Sequence, residues 1–208
     1  MKCVFKKLFV LEGNIGAGKS TLLQLLGKTI SNASVLSEPV EQWKTMAGVN
    51  LLNAFYLNPQ RWCFTFEVCS MVTKIKKLNE AYKSDSDIIL MERSLYSDKA
   101  FHKLSFFLEK LNPAEMLILQ DLYSNFKTLY PRINGIIYVN TDPKICLKRI
   151  KERKRPEENK ITEDYLKQLE NQLKTIEYEC PILIIDGNYN PKDAQNVINK
   201  IKDFIKNN

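Results

Sequence analysis

The chain of 208 residues is long enough to build its own core, and we expect a single domain over residues 1–208. Its net charge is +7, but the lysines are spread along the chain without a basic tail or a basic-aromatic repeat, so nucleic acid is not an expected partner. No stretch approaches the roughly 20 apolar residues of a membrane span, and the five scattered cysteines, with no CxxC pair, are typical of reduced thiols in a cytoplasmic protein.

The first predicted elements are a strand over 8–11 and a helix over 19–31, joined by the sequence GNIGAGKS at 13–20. This sequence matches the phosphate-binding loop, in which backbone N–H groups and a helix N-terminus bind phosphate oxygens. Lys19 is expected to reach the outer phosphates and Ser20 to bind Mg²⁺. A glycine-rich turn that only caps a helix would not need the Lys-Ser pair. We therefore expect a nucleoside triphosphate to bind along the loop, formed by Gly13, Asn14, Ile15, Gly16, Ala17, Gly18, Lys19, Ser20 and Thr21.

Four more apolar runs follow along the chain, at 34–37, 88–91, 136–139 and 182–185. Their β-branched, apolar composition predicts strands buried on both faces. Helical patterns separate them, at 49–83 with a break at Pro59, 96–129 with a break at Asn112-Pro113, 143–177 and 191–206. The alternation predicts a three-layer α/β fold, with a five-stranded parallel sheet flanked by helices.

Polar segments follow the predicted strands, where parallel sheets place their functional residues. They are Glu38 to Trp43 after the second strand, Glu92-Arg93-Ser94 after the third, and Arg149 to Glu158 beyond the fourth. The chain has 25 lysines but only 6 arginines, and four of those arginines fall in the last two segments. Because arginine binds phosphate through two parallel hydrogen bonds, this placement favours phosphate contacts.

The ordered segments resemble the deoxyribonucleoside kinase family, which contains the deoxycytidine, deoxyguanosine, mitochondrial thymidine and insect multisubstrate kinases. The resemblance covers almost the whole chain and is carried by GNIGAGKS, EPVEQW, Tyr56 with NPQRW, FTF at 64–66, ERSLYSD, NGIIYV, and CLKRIKERKRPEE followed by Tyr165-Leu166. It implies a P-loop kinase fold and a nucleotide-salvage enzyme. ATP or another nucleoside triphosphate would be the donor, with Mg²⁺, a deoxynucleoside the acceptor, and a homodimer the expected assembly.

The resemblance also implies roles for the residues at the strand ends. Glu38 matches the general base for the 5′-hydroxyl, although a carboxylate at a helix start is the simpler alternative. Arg93 matches the arginine near the 5′-oxygen, and Glu92 matches the acid that holds Mg²⁺ with Ser20. A salt bridge between strand ends is the alternative for these two.

An arginine-rich lid over about 149–160 is implied by three arginines, Arg149, Arg153 and Arg155. Such a lid closes over the donor phosphates and neutralises charge in the transition state. A solvated basic face is the alternative. The family usually has glycine between the last two arginines, where this chain has Lys154, and this difference brings the flexibility of the lid into question.

The acceptor side is implied by residues from several helices. Tyr56 and Glu158 match the pair that binds the 3′-hydroxyl, while Trp43 and Phe66 match the aromatic walls of the base slot. Aromatic residues at helical spacing are otherwise typical of a core. His102, the only histidine, falls where the family often stacks a phenylalanine on the base, and a surface position on its helix is the alternative.

Glu67 is the main departure from the family, which normally has glutamine there. A carboxylate only accepts hydrogen bonds, and guanine offers two adjacent donors, N1–H and the 2-amino group. Lys74 and Asp98 occupy positions that carry Arg and Asp in purine-accepting members. We therefore expect purine acceptance, with deoxyguanosine first and deoxyadenosine or deoxycytidine as further acceptors, unless Glu67 simply pairs with Lys74.

Two other functions share the phosphate loop. A nucleoside monophosphate kinase of the thymidylate type would need a further cationic site for the acceptor phosphate, and the segment from Glu38 to Trp43 favours a nucleoside instead. A non-catalytic nucleotide-binding switch would leave Glu38 and the arginine lid without a role.

Overall fold

The sheet of this protein is parallel and has the strand order β2-β3-β1-β4-β5. The computed structural model describes residues 6–189 and 193–208. The strands are β1 Lys7–Gly13, β2 Ala33–Leu36, β3 Ile88–Glu92, β4 Ile133–Asn140 and β5 Ile182–Asp186. The predicted five-stranded parallel sheet is therefore confirmed. Because β1 lies between β3 and β4, the loop that follows β1 is flanked by the ends of both.

Helices cover the sheet and connect its strands. They are α1 Lys19–Thr29, α2 Val40–Lys44, α3 Leu51–Leu57, α4 Pro59–Tyr82, α5 Leu95–Phe107, α6 Pro113–Leu129, α7 Pro143–Glu152, α8 Glu163–Lys174 and α9 Ala194–Asn207. The predicted breaks at Pro59 and Pro113 are helix starts, where the missing proline N–H costs nothing. Asn112 and Glu115 cap α6 reciprocally, each side chain accepting from the other's backbone N–H.

Two parts of the predicted layout differ from the structure. The helical pattern over 143–177 is interrupted after Glu152 by a short 3₁₀ turn at Pro156–Glu158, because proline cannot continue the hydrogen-bond ladder. The edge strands β2 and β5 are not buried on both faces, since most of their side chains are partly or fully exposed. The central strand β1 does follow the prediction, with Leu8 to Leu11 wholly buried.

The core lies on both faces of β1 and β4. One face packs against α1 and α9, through residues such as Leu22 and Ile201, and the other against α4, through Leu78. A cavity opens at the carboxyl ends of β2, β3 and β4, where Ser37, Glu92 and Val139 line it. In residues 6–189 and 193–208, no helix is both long and apolar enough to cross a membrane.

Candidate active site

The loop after β1 has the backbone shape of a phosphate cradle. Gly16 and Gly18 take φ values of 76° and 102°, which favour glycine. A Cβ on Gly16 would lie 2.5 Å from the carbonyl oxygen of Cys146, so a side chain does not fit there. Thr141 Oγ1 and Arg149 Nη1 donate to the carbonyl oxygen of Ala17 at 2.9 and 3.0 Å, which fixes the far side of the loop. The loop can therefore present its N–H groups to an anion.

Lys19 begins α1 and is almost fully buried beneath the loop. Its ammonium donates to the carbonyl oxygen of Asn14 at 2.8 Å. Burial, together with the charge of Arg93, lowers the pKa of Lys19 to about 8, although nearby carboxylates partly oppose the shift. A neighbouring phosphate would stabilise the charged form of a lysine with this pKa.

Ser20 and Glu92 lie together at the start of α1 and the end of β3. The Ser20 hydroxyl donates to Glu92 Oε1 at 2.9 Å, and Glu92 is buried. Hydroxyl and carboxylate oxygens are the ligands that Mg²⁺ prefers, usually with phosphate oxygens and water completing its octahedron. Across the described ranges, no group of three or more His, Cys, Asp or Glu side chains is placed to hold a metal. The donor set thus fits Mg²⁺ bound with a phosphate substrate.

Glu38 and Arg93 form an ion pair across the cavity wall. Arg93 Nε lies 3.1 Å from Glu38 Oε1, and the arginine is buried while the carboxylate is partly open to the cavity. Burial raises the pKa of Glu38, but the charges of Arg93, Lys74 and Lys19 outweigh it and hold the pKa below its usual value. The carboxylate is therefore ionised at neutral pH and able to accept a proton.

The turn after β3 aims Arg93 into the cavity. Arg93 has a left-handed backbone with φ of 62°, uncommon for a residue with a side chain. The next residue, Ser94, donates through its N–H and hydroxyl to the buried Glu12 at 2.9 and 2.6 Å, which holds the turn. Arg93 Nη1 is buried and has no hydrogen-bond partner within the described part of the chain, so a donor remains for a ligand.

The lid residues gather around one carboxylate. Arg153 Nε and Arg155 Nη1 each donate to Glu158 at 2.6 Å, one to each oxygen. Between them Lys154 has a φ of 51°, which explains why glycine suits this position. Arg149 is held by the carbonyl oxygens of Ala17 and Gly187. The three arginines thus lie on one side of the cavity.

The cavity runs from the phosphate loop to an aromatic slot and measures about 1250 Å³, above the usual range for one ligand. The slot is built by aromatic contacts, Trp43 with Phe66 at 5.2 Å and Phe66 stacked on Phe55 at 4.9 Å between ring centroids. Trp43 is held by a hydrogen bond from Nε1 to Thr73. Burial and the Glu158 carboxylate raise the pKa of Tyr56, so its hydroxyl keeps its proton. A volume of this size leaves room for more than one ligand.

The structure brings most of the sequence-predicted residues to this cavity. Its lining includes Ile15, Gly16, Ala17, Gly18, Lys19, Ser20, Thr21, Glu38, Trp43, Tyr56, Phe66, Glu67, Lys74, Glu92, Arg93, Asp98, Arg149, Arg153, Arg155 and Glu158. Gly13 and Asn14 are not on the lining; they shape the loop from behind. His102 is also absent from the lining.

The far end of the slot does not show the alternative pairing, that of Glu67 with Lys74. Lys74 pairs with Asp98, both 2% exposed, instead of with Glu67. Glu67 faces His102 instead, with 3.4 Å between Oε2 and Nε2. His102 neither stacks in the slot nor lies on the surface, because its side of α5 packs inward; Phe101 lines the cavity in its place.

Sequence reasoning missed four contributors to the site. Phe55 and Tyr165 line the cavity but are indistinguishable in sequence from core aromatic residues. Phe101 and His102 lie three and four residues after Asp98 and so share its side of the helix, and spacing alone did not show that Phe101 lines the cavity. Glu12, a charge inside an apolar strand, could have been recognised as a positioning group.

The chain is similar to known proteins over almost its whole length. A family model described as deoxynucleoside kinase matches residues 9–206. A probable deoxycytidine kinase of Fowlpox virus (strain NVSL) is 36% identical over 217 residues, which cover 96% of this chain and 88% of that protein. Deoxycytidine kinase of Homo sapiens is 32% identical, with 96% and 91% covered. The mitochondrial deoxyguanosine kinase of Xenopus laevis is 30% identical, with 96% and 89% covered. This chain belongs to the deoxynucleoside kinase family.

Proposed function

We propose that this deoxynucleoside kinase transfers the terminal phosphate of ATP, or of another nucleoside triphosphate, to the 5′-hydroxyl of a purine deoxynucleoside, with Glu38 as general base. One observation carries the proposal. Glu38 is paired with Arg93 at 3.1 Å and opens to the cavity between the phosphate loop and the aromatic slot. A nucleoside in the slot would bring its 5′-hydroxyl to this carboxylate.

The donor side provides positioning and charge neutralisation, which dominate phosphoryl transfer. Loop N–H groups and Lys19 would hold the phosphates, and Ser20 and Glu92 would hold Mg²⁺, an ion that neutralises charge on the phosphate oxygens. A bond forms between the 5′-oxygen of the nucleoside and the terminal phosphorus of the donor. The bond between that phosphorus and the oxygen that links it to the next phosphate breaks at the same time. The nucleoside diphosphate leaves, and Glu38 receives the hydroxyl proton.

The lid would act in the transition state. Arg153 and Arg155 already lie at the cavity, held by Glu158, and Arg149 lies beside the phosphate loop. Guanidinium groups bind phosphate through two hydrogen bonds, so they suit charge that grows on the transferred group. We assign the three arginines to the donor phosphates.

The acceptor sugar and base would lie on the other side of Glu38. Tyr56 and Glu158 would bind the 3′-hydroxyl, the first as donor and the second as acceptor. Trp43 and Phe66 would border the base. Lys74 is paired with Asp98 and Arg93 with Glu38, an arrangement that favours an acceptor with no phosphate of its own over a thymidylate-type acceptor.

Base preference would be decided at the far end of the slot. The relatives named above are called deoxycytidine kinases and a deoxyguanosine kinase, so these two bases are the natural candidates. Glu67 accepts but does not donate when ionised, which matches N1–H and the 2-amino group of guanine and opposes N3 of cytosine. We propose deoxyguanosine as the preferred acceptor and deoxycytidine or deoxyadenosine as weaker ones.

The assembly would be a homodimer. Apolar side chains are exposed on neighbouring helices, Val72 on α4 and Leu117 and Ile118 on α6. Light scattering of the wild type and of the double variant Val72→Asp with Ile118→Asp tests this assignment. A monomeric double variant is the expected result, and an unchanged mass would contradict the assignment.

The thiols Cys63, Cys69, Cys146 and Cys180 are free, which suits a reducing cytoplasmic compartment.

The test of function is transfer of phosphate from labelled ATP to each of the four deoxynucleosides in parallel, with thymidine monophosphate as a fifth acceptor. Transfer to the nucleosides with deoxyguanosine first supports the whole proposal. Transfer to deoxycytidine first keeps the kinase assignment and overturns the base preference. Transfer to the monophosphate alone, or ATP binding without transfer, would overturn the assignment of Glu38 as base.

A further inference from the structure

His102 lies behind the base slot, against the carboxylate of Glu67. Its Nε2 is 3.4 Å from Glu67 Oε2, and the two side chains are 2% and 4% exposed. Glu67 belongs to α4 and faces the cavity, whereas His102 belongs to α5 and does not. The imidazole therefore touches the carboxylate from the side that a bound nucleoside does not reach.

The contact between them is close to a hydrogen bond without being one. Within residues 6–189 and 193–208, Nε2 of His102 has no hydrogen-bond partner, although buried ring nitrogens normally have one. A small rotation of the Glu67 carboxylate would bring Oε2 in line with an N–H at Nε2. An N–H at Nε2 is therefore close enough to donate to Oε2 once the carboxylate reorients.

Lys74, a buried cation on the same helix as Glu67, is already engaged. Lys74 pairs with Asp98, and Ser70 donates to the same Asp98 oxygen at 3.3 Å. The Lys74 ammonium is therefore not the group that orients Glu67. Beside that carboxylate, His102 presents a ring nitrogen that has no hydrogen-bond partner among the described residues.

We propose that His102 is a positioning residue for base selection, which donates from Nε2 to Glu67 Oε2 and fixes the carboxylate toward a guanine base. The proposal rests on the proposed role of Glu67. A carboxylate has about four acceptor sites, so Oε2 can accept from His102 on one side and from guanine on the other. Glutamine, usual in the family at this position, carries its own donor and needs no such partner. The Glu67 and His102 departures from the family pattern are then one functional pair.

The kinetic test is a double-mutant cycle on the ratio of kcat/KM for deoxyguanosine to that for deoxycytidine. His102→Phe should lower this ratio roughly tenfold, mainly through the KM for deoxyguanosine, a typical coupling for residues in contact. His102→Gln keeps a donor and should recover part of the loss. In the Glu67→Gln background, His102→Phe should change the ratio by less than about twofold.

The outcomes separate this inference from the function on which it rests. If Glu67→Gln changes the ratio and His102→Phe does not, His102 has no role in selection although Glu67 does. If the effects of Glu67→Gln and His102→Phe on the ratio simply multiply in the double variant, the two residues do not act together and the proposal is refuted. If Glu67→Gln leaves the ratio unchanged, base reading by Glu67 itself fails. Thermal melting of each variant shows whether a loss reflects unfolding.

A spectroscopic test needs no variant of His102. The chain contains one histidine, so ¹⁵N-histidine labelling of protein without a polyhistidine tag gives a single pair of imidazole resonances. Deoxyguanosine added without ATP should shift the Nε2 resonance in the wild type and leave it unchanged in Glu67→Gln. An Nε2 resonance whose chemical shift stays the same when deoxyguanosine is added to the wild type would overturn the proposal, even if the His102 variants fail to fold.

Discussion

Glu158 accepts a hydrogen bond from Arg153 at one carboxylate oxygen and from Arg155 at the other, both at 2.6 Å. The carboxylate is 5% exposed and the two guanidinium groups are about one third exposed, so the acid is the buried centre of the lid. A single carboxylate thus links the groups proposed to bind the donor phosphates to the group proposed to bind the sugar.

The first prediction concerns the lid arginines. Arg153→Ala and Arg155→Ala should each lower kcat by roughly 100-fold, because charge on the donor grows toward the transition state. The KM for the nucleoside should change much less. Lysine replacements should recover only part of the rate, since an ammonium cannot bind two phosphate oxygens in parallel.

Lys148→Ala is the matched control, because Lys148 is an exposed cation on α7 that pairs only with Glu152 in the described structure. Its rate should equal that of the wild type. A rise in nucleoside KM with unchanged kcat for Arg153→Ala and Arg155→Ala would place these arginines at the acceptor instead.

The second prediction concerns the backbone at Lys154, whose φ of 51° lies in the left-handed region. Lys154→Gly should keep kcat and melting temperature close to wild type, because glycine adopts this conformation without strain. Lys154→Val should lower both, since β-branched side chains are rarely tolerated at positive φ. Steady-state kinetics and thermal melting measure the series. Equal behaviour of the two variants would show that the lid does not depend on this conformation.

The third prediction concerns pH, through Lys19 and its pKa of about 8. The lysine is charged below this pKa and neutral above it in the free enzyme, whereas bound phosphates favour the charged form. ATP affinity should therefore fall as pH rises through 8, and ATP binding at about pH 8.5 should take up protons. Calorimetry in two buffers of different ionisation enthalpy measures the uptake.

Lys19→Arg provides the control for this measurement, because arginine does not titrate in the accessible range. The variant should bind ATP without the proton uptake. Equal uptake by the wild type and Lys19→Arg would mean that another group is the source.

The fourth prediction concerns the sugar. If Tyr56 donates to the 3′-hydroxyl, Tyr56→Phe should lower kcat/KM for a deoxynucleoside about tenfold, the usual cost of an unpaired polar group. The same variant should not change kcat/KM for the matching 2′,3′-dideoxynucleoside. An equal loss for both substrates would assign Tyr56 to packing instead.

The local parts of the site were predictable from sequence because they are set by neighbouring residues. The phosphate loop is one continuous segment, and its glycines, Lys19 and Ser20 have their positions fixed by the turn into α1. Strand order could not be derived in this way, but the rule that functional residues follow parallel strands was sufficient to place Glu38 and Arg93 near the loop.

The sequence-based predictions that failed concern side chains whose positions depend on packing between distant segments of the chain. Sequence spacing puts Asp98, Phe101 and His102 on neighbouring positions around α5. Only the packing of α4 and α8 against that helix decides which of these side chains lines the cavity. The partner of Lys74 was likewise undecided, since Glu67 and Asp98 are both within reach. Short α2, five residues long, has too little periodicity to be recognised.

The most direct test of the central claim is the rate of phosphate transfer in a single turnover by Glu38→Gln, with ATP and deoxyguanosine saturating. Glutamine keeps the shape of Glu38 and a contact to Arg93 but cannot take the hydroxyl proton. The rate should fall by about 10²–10⁴-fold, the usual contribution of a general base, while the dissociation constant for ATP stays within about twofold of wild type. A rate within about threefold of wild type would contradict the account and reduce Glu38 to a structural partner of Arg93.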